Sequence, residues 1–251
     1  ISFSVNDGES HSELGSREIS LTAVNDASSI IHLDEGALQY TENAAPTAIS
    51  SALTLVDLDD NQLEGASIQI SGNYASGEDQ LAFEETTDIS ATWDANSGTL
   101  SLSGNASLSD YQNALRSVTY ENSSEDPSSA TRTIQYSAFD GEANSAVASI
   151  DIDIIAVDDT PTSIAGAAQT VNEEQLVNLS GSGTDPEGQG LTYSWTQISG
   201  AAVSLSDADD SSPTFSAPNG LVNSDLVFQL EVSDGNTSST DTVTITVNAD
   251  N

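Results

Sequence analysis

Three stretches of this chain share one plan, and that plan limits what the chain can fold into. Each has a short strand, an Asp-Gly turn, a second alternating strand, and acidic residues just beyond it. The first is FSVNDG, Phe3 to Gly8, followed by REISLTAVND, Arg17 to Asp26. The second runs from Tyr136 to Pro161, YSAFDGEANSAVASIDIDIIAVDDTP. The third is LEVSDG, Leu230 to Gly235, followed by DTVTITVNADN, Asp241 to Asn251. Asp-Gly between alternating runs is a hairpin signal. A lone hairpin is marginal in water, so each copy is expected to close a larger β-structure. Unequal spacing of Asp7, Asp140 and Asp234 marks related modules of different length.

Between the hairpins the chain reads as strands and turns. Alternation is clearest in Thr99–Leu102 and Ser149–Ile154. Turn signals fall at Asp60-Asn61, Gly72-Asn73, Ser97-Gly98, Asp126-Pro127 and Asp140-Gly141. One short helical piece is expected, capped by Ser109-Asp110 and carrying Tyr111, Ala114 and Leu115. The predicted fold class is all-β: tandem antiparallel β-sandwich modules of immunoglobulin-like or cadherin-like type. Residues 1–26 are expected to be the C-terminal hairpin of an upstream module, or else a strand donated to a neighbouring sheet. Residues 27–157 form a long module and 158–251 a shorter one with about seven strands. Trp195, mid-strand in YSWTQ, is expected to pack between sheets.

Charge restricts the partners. Forty acidic residues against three arginines (Arg17, Arg116 and Arg132) and no lysine give a net charge of −37. Such a surface repels phosphate, which argues against nucleic acid and against anionic membranes. Strong acidity can signal disorder, but 36% of the residues are hydrophobic and fall in short alternating runs. No apolar run reaches the roughly 18 residues that a membrane-spanning helix needs. Cysteine is absent, so neither a disulfide nor a thiolate site is possible. Crowded carboxylates repel one another, and lysine and arginine are too few to offset them. Divalent cations are the remaining candidate; the competing reading is a merely solubilising acidic surface.

Placement of the acids favours the cation. Ca2+ takes about six to eight oxygens from carboxylates, carbonyls and water. The long module offers Asp26 in its leading linker, Glu42 in YTENAAP, Asp57 and Asp59 in VDLDDN, and Asp140 in its Asp-Gly turn. In an extended segment Asp57 and Asp59 point the same way. The short module repeats the order with Asp158 and Asp159, Glu173 in VNEEQ, Asp185 and Glu187 in TDPEGQG, and Asp234 in VSDG. The sharpest expectation is that Asp158, Asp159, Glu173 and Asp185 share calcium between two sandwiches. Asp140 and Asp234 are the weakest members, because Asp is also an ordinary turn former. The segments do not fit an EF-hand loop. Glu78 and Asp79 are expected in a solvated turn, and Asp207, Asp209 and Asp210 in a solvated loop.

Longer motifs bring a resemblance. The long module, through YTENAAP, VDLDDN, SGNYASGEDQLAF and LSLSGNASLSDYQNALRSVTYENSSEDPSSATRTIQYSAFDG, resembles the cadherin-like repeats, of chondroitin-sulfate-proteoglycan type, in giant bacterial surface adhesins. The short module resembles the PKD-like and cadherin-like domains of such proteins through GSGTDPEGQGLTYSWTQ, APNGLVNSDLVFQLEVSDG and DTVTITV. The resemblance implies a large, often RTX-type, secreted protein whose tandem domains bind calcium at their junctions. Its partners would be calcium ions and neighbouring modules, its place the cell surface, and its task to extend ligand-binding domains for attachment or biofilm formation. Animal cadherin joints use a longer Asp-x-Asn-Asp-Asn linker, whereas this chain has Asn25-Asp26 and Asp158-Asp159, which implies fewer ions per joint.

An enzyme is not expected. His11 and His32 stand in no partner motif, and no G-x-S-x-G elbow occurs. The alternative to a spacer is a sugar- or peptide-binding module, with loops around residues 74–88 and 105–111 forming a pocket.

Overall fold

The computed structural model describes residues 1–220 and 223–249. The strands in chain order are β1 (Ser2–Phe3), β2 (Gly15–Ser16), β3 (Ser29–Ile31), β4 (Leu38–Thr41), β5 (Thr47–Ala48), β6 (Thr54–Val56), β7 (Gln62–Gly72), β8 (Asp79–Ala82), β9 (Ser90–Asp94) and β10 (Thr99–Ser107). After helix α1 (Leu108–Ser117) come β11 (Thr119–Asn122), β12 (Arg132–Phe139) and β13 (Ala148–Ile155). The remainder is β14 (Thr162–Ile164), β15 (Gln169–Asn172), β16 (Leu176–Asn178), β17 (Ser182–Thr184), β18 (Thr192–Ser199), β19 (Thr214–Ser216), β20 (Ser224–Ser233) and β21 (Ser238–Asn248). Among the described residues the fold is therefore all-β but for one helix.

Two hydrophobic cores form. In the first, the sheet β4-β13-β12-β7-β10-β9 faces the smaller sheet β5-β11-β8. Alternation decides which side chains turn inward: Ile68, Ile70, Leu100, Leu102, Ile134 and Tyr136 are all buried. They meet across the ladder, Leu100 opposite Ile68 and Ile134 opposite Ile70. Tyr40 and Tyr120 join the layers edge to face at 5.0 Å. Each large apolar side chain buried this way contributes about 1.5–3 kcal/mol. The second core lies in the sheet β15-β21-β20-β18 and the pair β16-β19, around Trp195, Phe215, Phe228 and Ile245. Trp195 is buried there, as its place in the strand implies.

Helix α1 starts earlier than its sequence suggests. Ser107 is the cap, and its Oγ accepts a hydrogen bond from the Asp110 N–H at 3.2 Å. Tyr111, Ala114 and Leu115 form the buried face. The Tyr111 hydroxyl donates to the Gly104 carbonyl at 2.6 Å. Gly104 has φ +140°, and a Cβ there would run into the Asp88 carbonyl oxygen, so only glycine fits the bulge that turns β10 toward the helix.

Asp79 departs from expectation. It is not in a solvated turn but buried, paired to the equally buried Arg132, with Nε–Oδ2 at 3.1 Å. Asp79 also accepts from Tyr120 OH at 2.6 Å, Asn122 Nδ2 at 2.7 Å and the Ala75 N–H at 2.8 Å. Arg132 Nη1 donates to the Ser128 and Ala130 carbonyls. Gly-Glu-Asp reads locally as a turn; its cation stands on a strand far along the chain.

The first hairpin is also shorter than its alternation predicts. Ser2 pairs with Ser16 and Phe3 with Gly15, but residues 17–26 form no strand. Ile19 is 62% exposed, Leu21 90% and Val24 80%, because these residues meet no apolar face here. Val203 and Leu205 pack against the second core without joining a ladder.

Candidate metal centre

Two parallel pairings set the ends of the sandwiches. β4 runs beside β13, Thr41 opposite Ile155, and β15 runs beside β21, Asn172 opposite Asn248. Glu42 thus lies where the chain leaves the first core: its N–H donates to the Ile155 carbonyl at 2.9 Å, and its Oε2 accepts the Val157 N–H at 2.7 Å. Glu42 is only 5% exposed, and its Oε1 is buried without a partner. Carboxylate oxygens of Glu42, Glu125 and Asp159 lie within 4.8 Å of one another.

The second sandwich supplies the other side. The Asp159 N–H donates to Glu187 Oε1 at 3.2 Å, and Asp185 Oδ1 accepts the Gln189 N–H at 2.9 Å. Asp159 Oδ2, Asp185 Oδ2 and Glu187 Oε2 are, like Glu42 Oε1, buried and unpaired. Burial pushes the Glu42 carboxyl above its usual range, and the charges of Asp159, Glu187 and Glu125 add to this against the Val157 hydrogen bond. Asp159 is raised likewise, by burial first and then by Glu125, Asp158 and Asp185. No side chain of the protein offsets these charges: the single ion pair among the described residues is Arg132–Asp79, and Arg116 donates its Nε to the Leu53 carbonyl. A hard cation that takes several oxygens fits this set.

The first joint repeats the construction. Ser29 pairs with Val56 as Thr162 pairs with Thr184, so Asp26 corresponds to Asp159, Asp57 to Asp185 and Asp59 to Glu187. The Asp26 N–H donates to Asp59 Oδ2 at 3.2 Å, the counterpart of the Asp159–Glu187 bond. Asp57 Oδ1 accepts the N–H groups of Asp59 and Asp60, and its Oδ2 is buried and unpaired. Oxygens of Asp57, Asp59 and Asp60 cluster within 4.8 Å. The Asp26 N–H lowers the Asp59 pKa, but desolvation and the charges of Asp57 and Asp26 outweigh it and leave the carboxyl raised.

Not every acid read from the sequence stands where expected. Glu42 was grouped with Asp26, Asp57 and Asp59, but the parallel pairing carries it to the opposite end of its sandwich, beside Asp159. Glu173 was grouped with Asp158, Asp159 and Asp185. It follows β15 and so lies at the far end of the second sandwich, a correction that antiparallel reasoning could not supply. Asp7, Asp140 and Asp234 build one turn three times over, each Oδ1 accepting the N–H groups two and three residues on. Those bonds hold all three carboxyls below their usual range. The turn aspartates of the two joints also steer neighbours: Asp140 Oδ2 accepts from Asn25 Nδ2, and Asp234 Oδ2 accepts from Thr237 Oγ1, which also lies 3.3 Å from the Asp159 carbonyl. Asp158 Oδ1 accepts from Gln189 Nε2 and Asn236 Nδ2, outside the carboxylate cluster. Glu125 was missed. It stands in a Ser- and Pro-rich loop, and its contact with Asn43, at φ 59°, whose Nδ2 donates to Glu125 Oε2 at 3.0 Å, spans a long stretch of chain.

Comparison with known proteins agrees with the second sandwich. Residues 165–247 match the family described as K319L-like, PKD domain. Halomucin of Haloquadratum walsbyi is 34% identical over 86 residues, which is 32% of this chain and 1% of halomucin. The chain thus spans a very small part of that relative. Among solved structures, human mucin-like protocadherin EC1-2 is 14% identical with a TM-score of 0.34, over 89% of this chain and 98% of that one. The PKD domain of human KIAA0319 is 19% identical with a TM-score of 0.30, over 37% of this chain and 84% of that one. No helix among the described residues is long and apolar enough to cross a membrane.

Proposed function

We propose that this chain is a calcium-stiffened spacer of a large cell-surface adhesin. Its modules would be residues 1–26, 27–157 and 158–251, the first being the closing hairpin of an upstream module. Glu42, Glu125, Asp159, Asp185 and Glu187 would hold Ca2+ at the second joint, and Asp26, Asp57 and Asp59 at the first. Asp158, Asp140 and Asp234 orient these joints through hydrogen bonds. Glu173 would serve a joint at the far end of the short module. The bound ion would supply the positive charge that the chain lacks. Glu42 would then fix the end of the first sandwich and Glu187 the start of the second, because each also accepts a linker N–H.

One observation carries the reading: four buried, unpaired carboxylate oxygens from two sandwiches at a joint that no cation of the protein reaches. A buried charge without a partner costs several kcal/mol, so a counter-ion would strongly stabilise such a cluster. The halomucin match supports a surface protein, and the RTX-type context, the extracellular location and a role in biofilm formation belong to the same proposal. PKD and cadherin-like domains are typically non-catalytic, in line with a spacer rather than an enzyme. Isothermal titration tests the reading. Ca2+ should bind saturably at physiological ionic strength, and Asp159→Ala should remove the tightest binding. Equal heats for the variant and the native chain would refute the assignment.

A further inference from the structure

A small cavity of about 190 Å³ opens on the long module, lined by Tyr74, Glu78, Asp79, Trp93 and Glu121. Its walls are two aromatic rings at 83°, with centroids 6.2 Å apart. Tyr74 is clamped: its hydroxyl donates to the Ala95 carbonyl at 2.6 Å, and Gly98, at φ +65°, packs so closely on the ring that a Cβ would meet Tyr74 Cγ at 2.9 Å. Trp93 lies on β9, opposite Leu100 of the rigid ladder. Glu78 and Glu121 are half-buried on the rim, and no cation of the chain pairs with them, since Arg132 is committed to Asp79.

Perpendicular rings with carboxylates beside them are suited to one kind of guest. A cation within about 6 Å of an aromatic centroid is attracted by the ring's negative face, most strongly when desolvated, and quaternary ammonium groups are recognised this way. A sugar needs an open ring face to stack on, whereas here two rings meet at a corner; Gln80 and Ser123 add polar groups to the lining, but its charged groups are all acidic. A divalent metal needs converging oxygens, and Glu78 and Glu121 are not among the described groups that converge so. We infer that this corner binds a quaternary ammonium group of the choline type. The inference is independent of calcium at the joints, because these residues lie outside both acidic clusters.

The test uses the full chain at saturating calcium. Trp93 and Trp195 are the two tryptophans, and Trp195 is buried in the other core, so the indole N–H signals in a nitrogen–proton NMR spectrum separate the site from a control. Choline chloride should shift the Trp93 signal saturably while the Trp195 signal stays fixed, and matched sodium chloride should not reproduce the shift. Glu78→Gln with Glu121→Gln should weaken binding at least about fivefold, the scale of about 1 kcal/mol for a lost charge contact. These substitutions keep the size of each side chain and should leave the melting temperature unchanged. Tyr74→Ala should weaken binding by a similar factor. Phosphatidylcholine vesicles that co-sediment with the native chain, but not with the double variant, would place the group on a lipid; choline binding alone would make it a soluble or polymer-linked group. Failure of choline to bind, equal binding of its neutral carbon isostere, or indifference to the two glutamate changes would each overturn the inference.

Discussion

A carboxylate that is 5% exposed, accepts one backbone N–H and leaves its other oxygen bare is unfavourable as an anion unless a cation meets it. Glu42 is in that position, and its raised pKa fixes the direction of a pH effect. A group whose folded pKa exceeds its unfolded value adds stability below the unfolded pKa, and that stability is lost as pH rises through the folded value. In EGTA, stability should therefore fall as pH rises above the ordinary glutamate value of 4.5, the raised Asp159 acting in the same sense. With calcium present the trend should invert, because protons compete with the ion. Glu42→Gln should melt higher than the native chain in EGTA at neutral pH and lose most of the calcium-induced rise. A native-like calcium response in that variant would remove Glu42 from the site. Arg132 is the contrasting case, a buried cation whose Nε meets Asp79 and whose Nη1 donates to two carbonyls, with Nη2 left without a partner. Arg132→Met leaves Asp79 buried and unpaired and should cost about 3–5 kcal/mol in urea unfolding. A cost under about 1 kcal/mol, the scale of an exposed pair, would show that Asp79 finds water instead.

Strands carry the second group of consequences. Leu100 is 2% exposed and faces Ile68 in the six-stranded sheet, so Leu100→Asp should remove the cooperative melt of the first sandwich while the second retains its own. An unchanged melt would contradict the register. How much was legible in the sequence depended on distance along the chain. Alternation in Thr99–Leu102 and Ser149–Ile154 pointed to β10 and β13, and the Asp-Gly turns at Asp140 and Asp234 to two hairpins, because these signals are local. The acidic pairs Asp57-x-Asp59 and Asp185-x-Glu187 were equally readable. Hidden from the sequence were the parallel pairings of β4 with β13 and β15 with β21, which join segments far apart and decide that Glu42 and Glu173 lie at exit ends. Glu125 and Asp79 escaped for the same reason, since their partners come from distant strands. The first hairpin failed in the opposite way: Ile19, Leu21 and Val24 alternate, but nothing in this chain covers them, and pattern without a partner face made no strand.

At the scale of the molecule, two separate cores meet at a joint lined by acids. A net charge of −37 would favour wide separation of the sandwiches, and salt screens such repulsion over about 8 Å at physiological ionic strength. General screening and a specific ion therefore predict different behaviour when ionic strength is held constant. The decisive measurement is small-angle scattering of the chain in calcium and in EGTA at one ionic strength, with Asp159→Ala alongside. The account predicts that calcium lengthens the native maximum dimension and narrows its distribution, and that Asp159→Ala abolishes the change. Identical profiles for the native chain with and without calcium would contradict it.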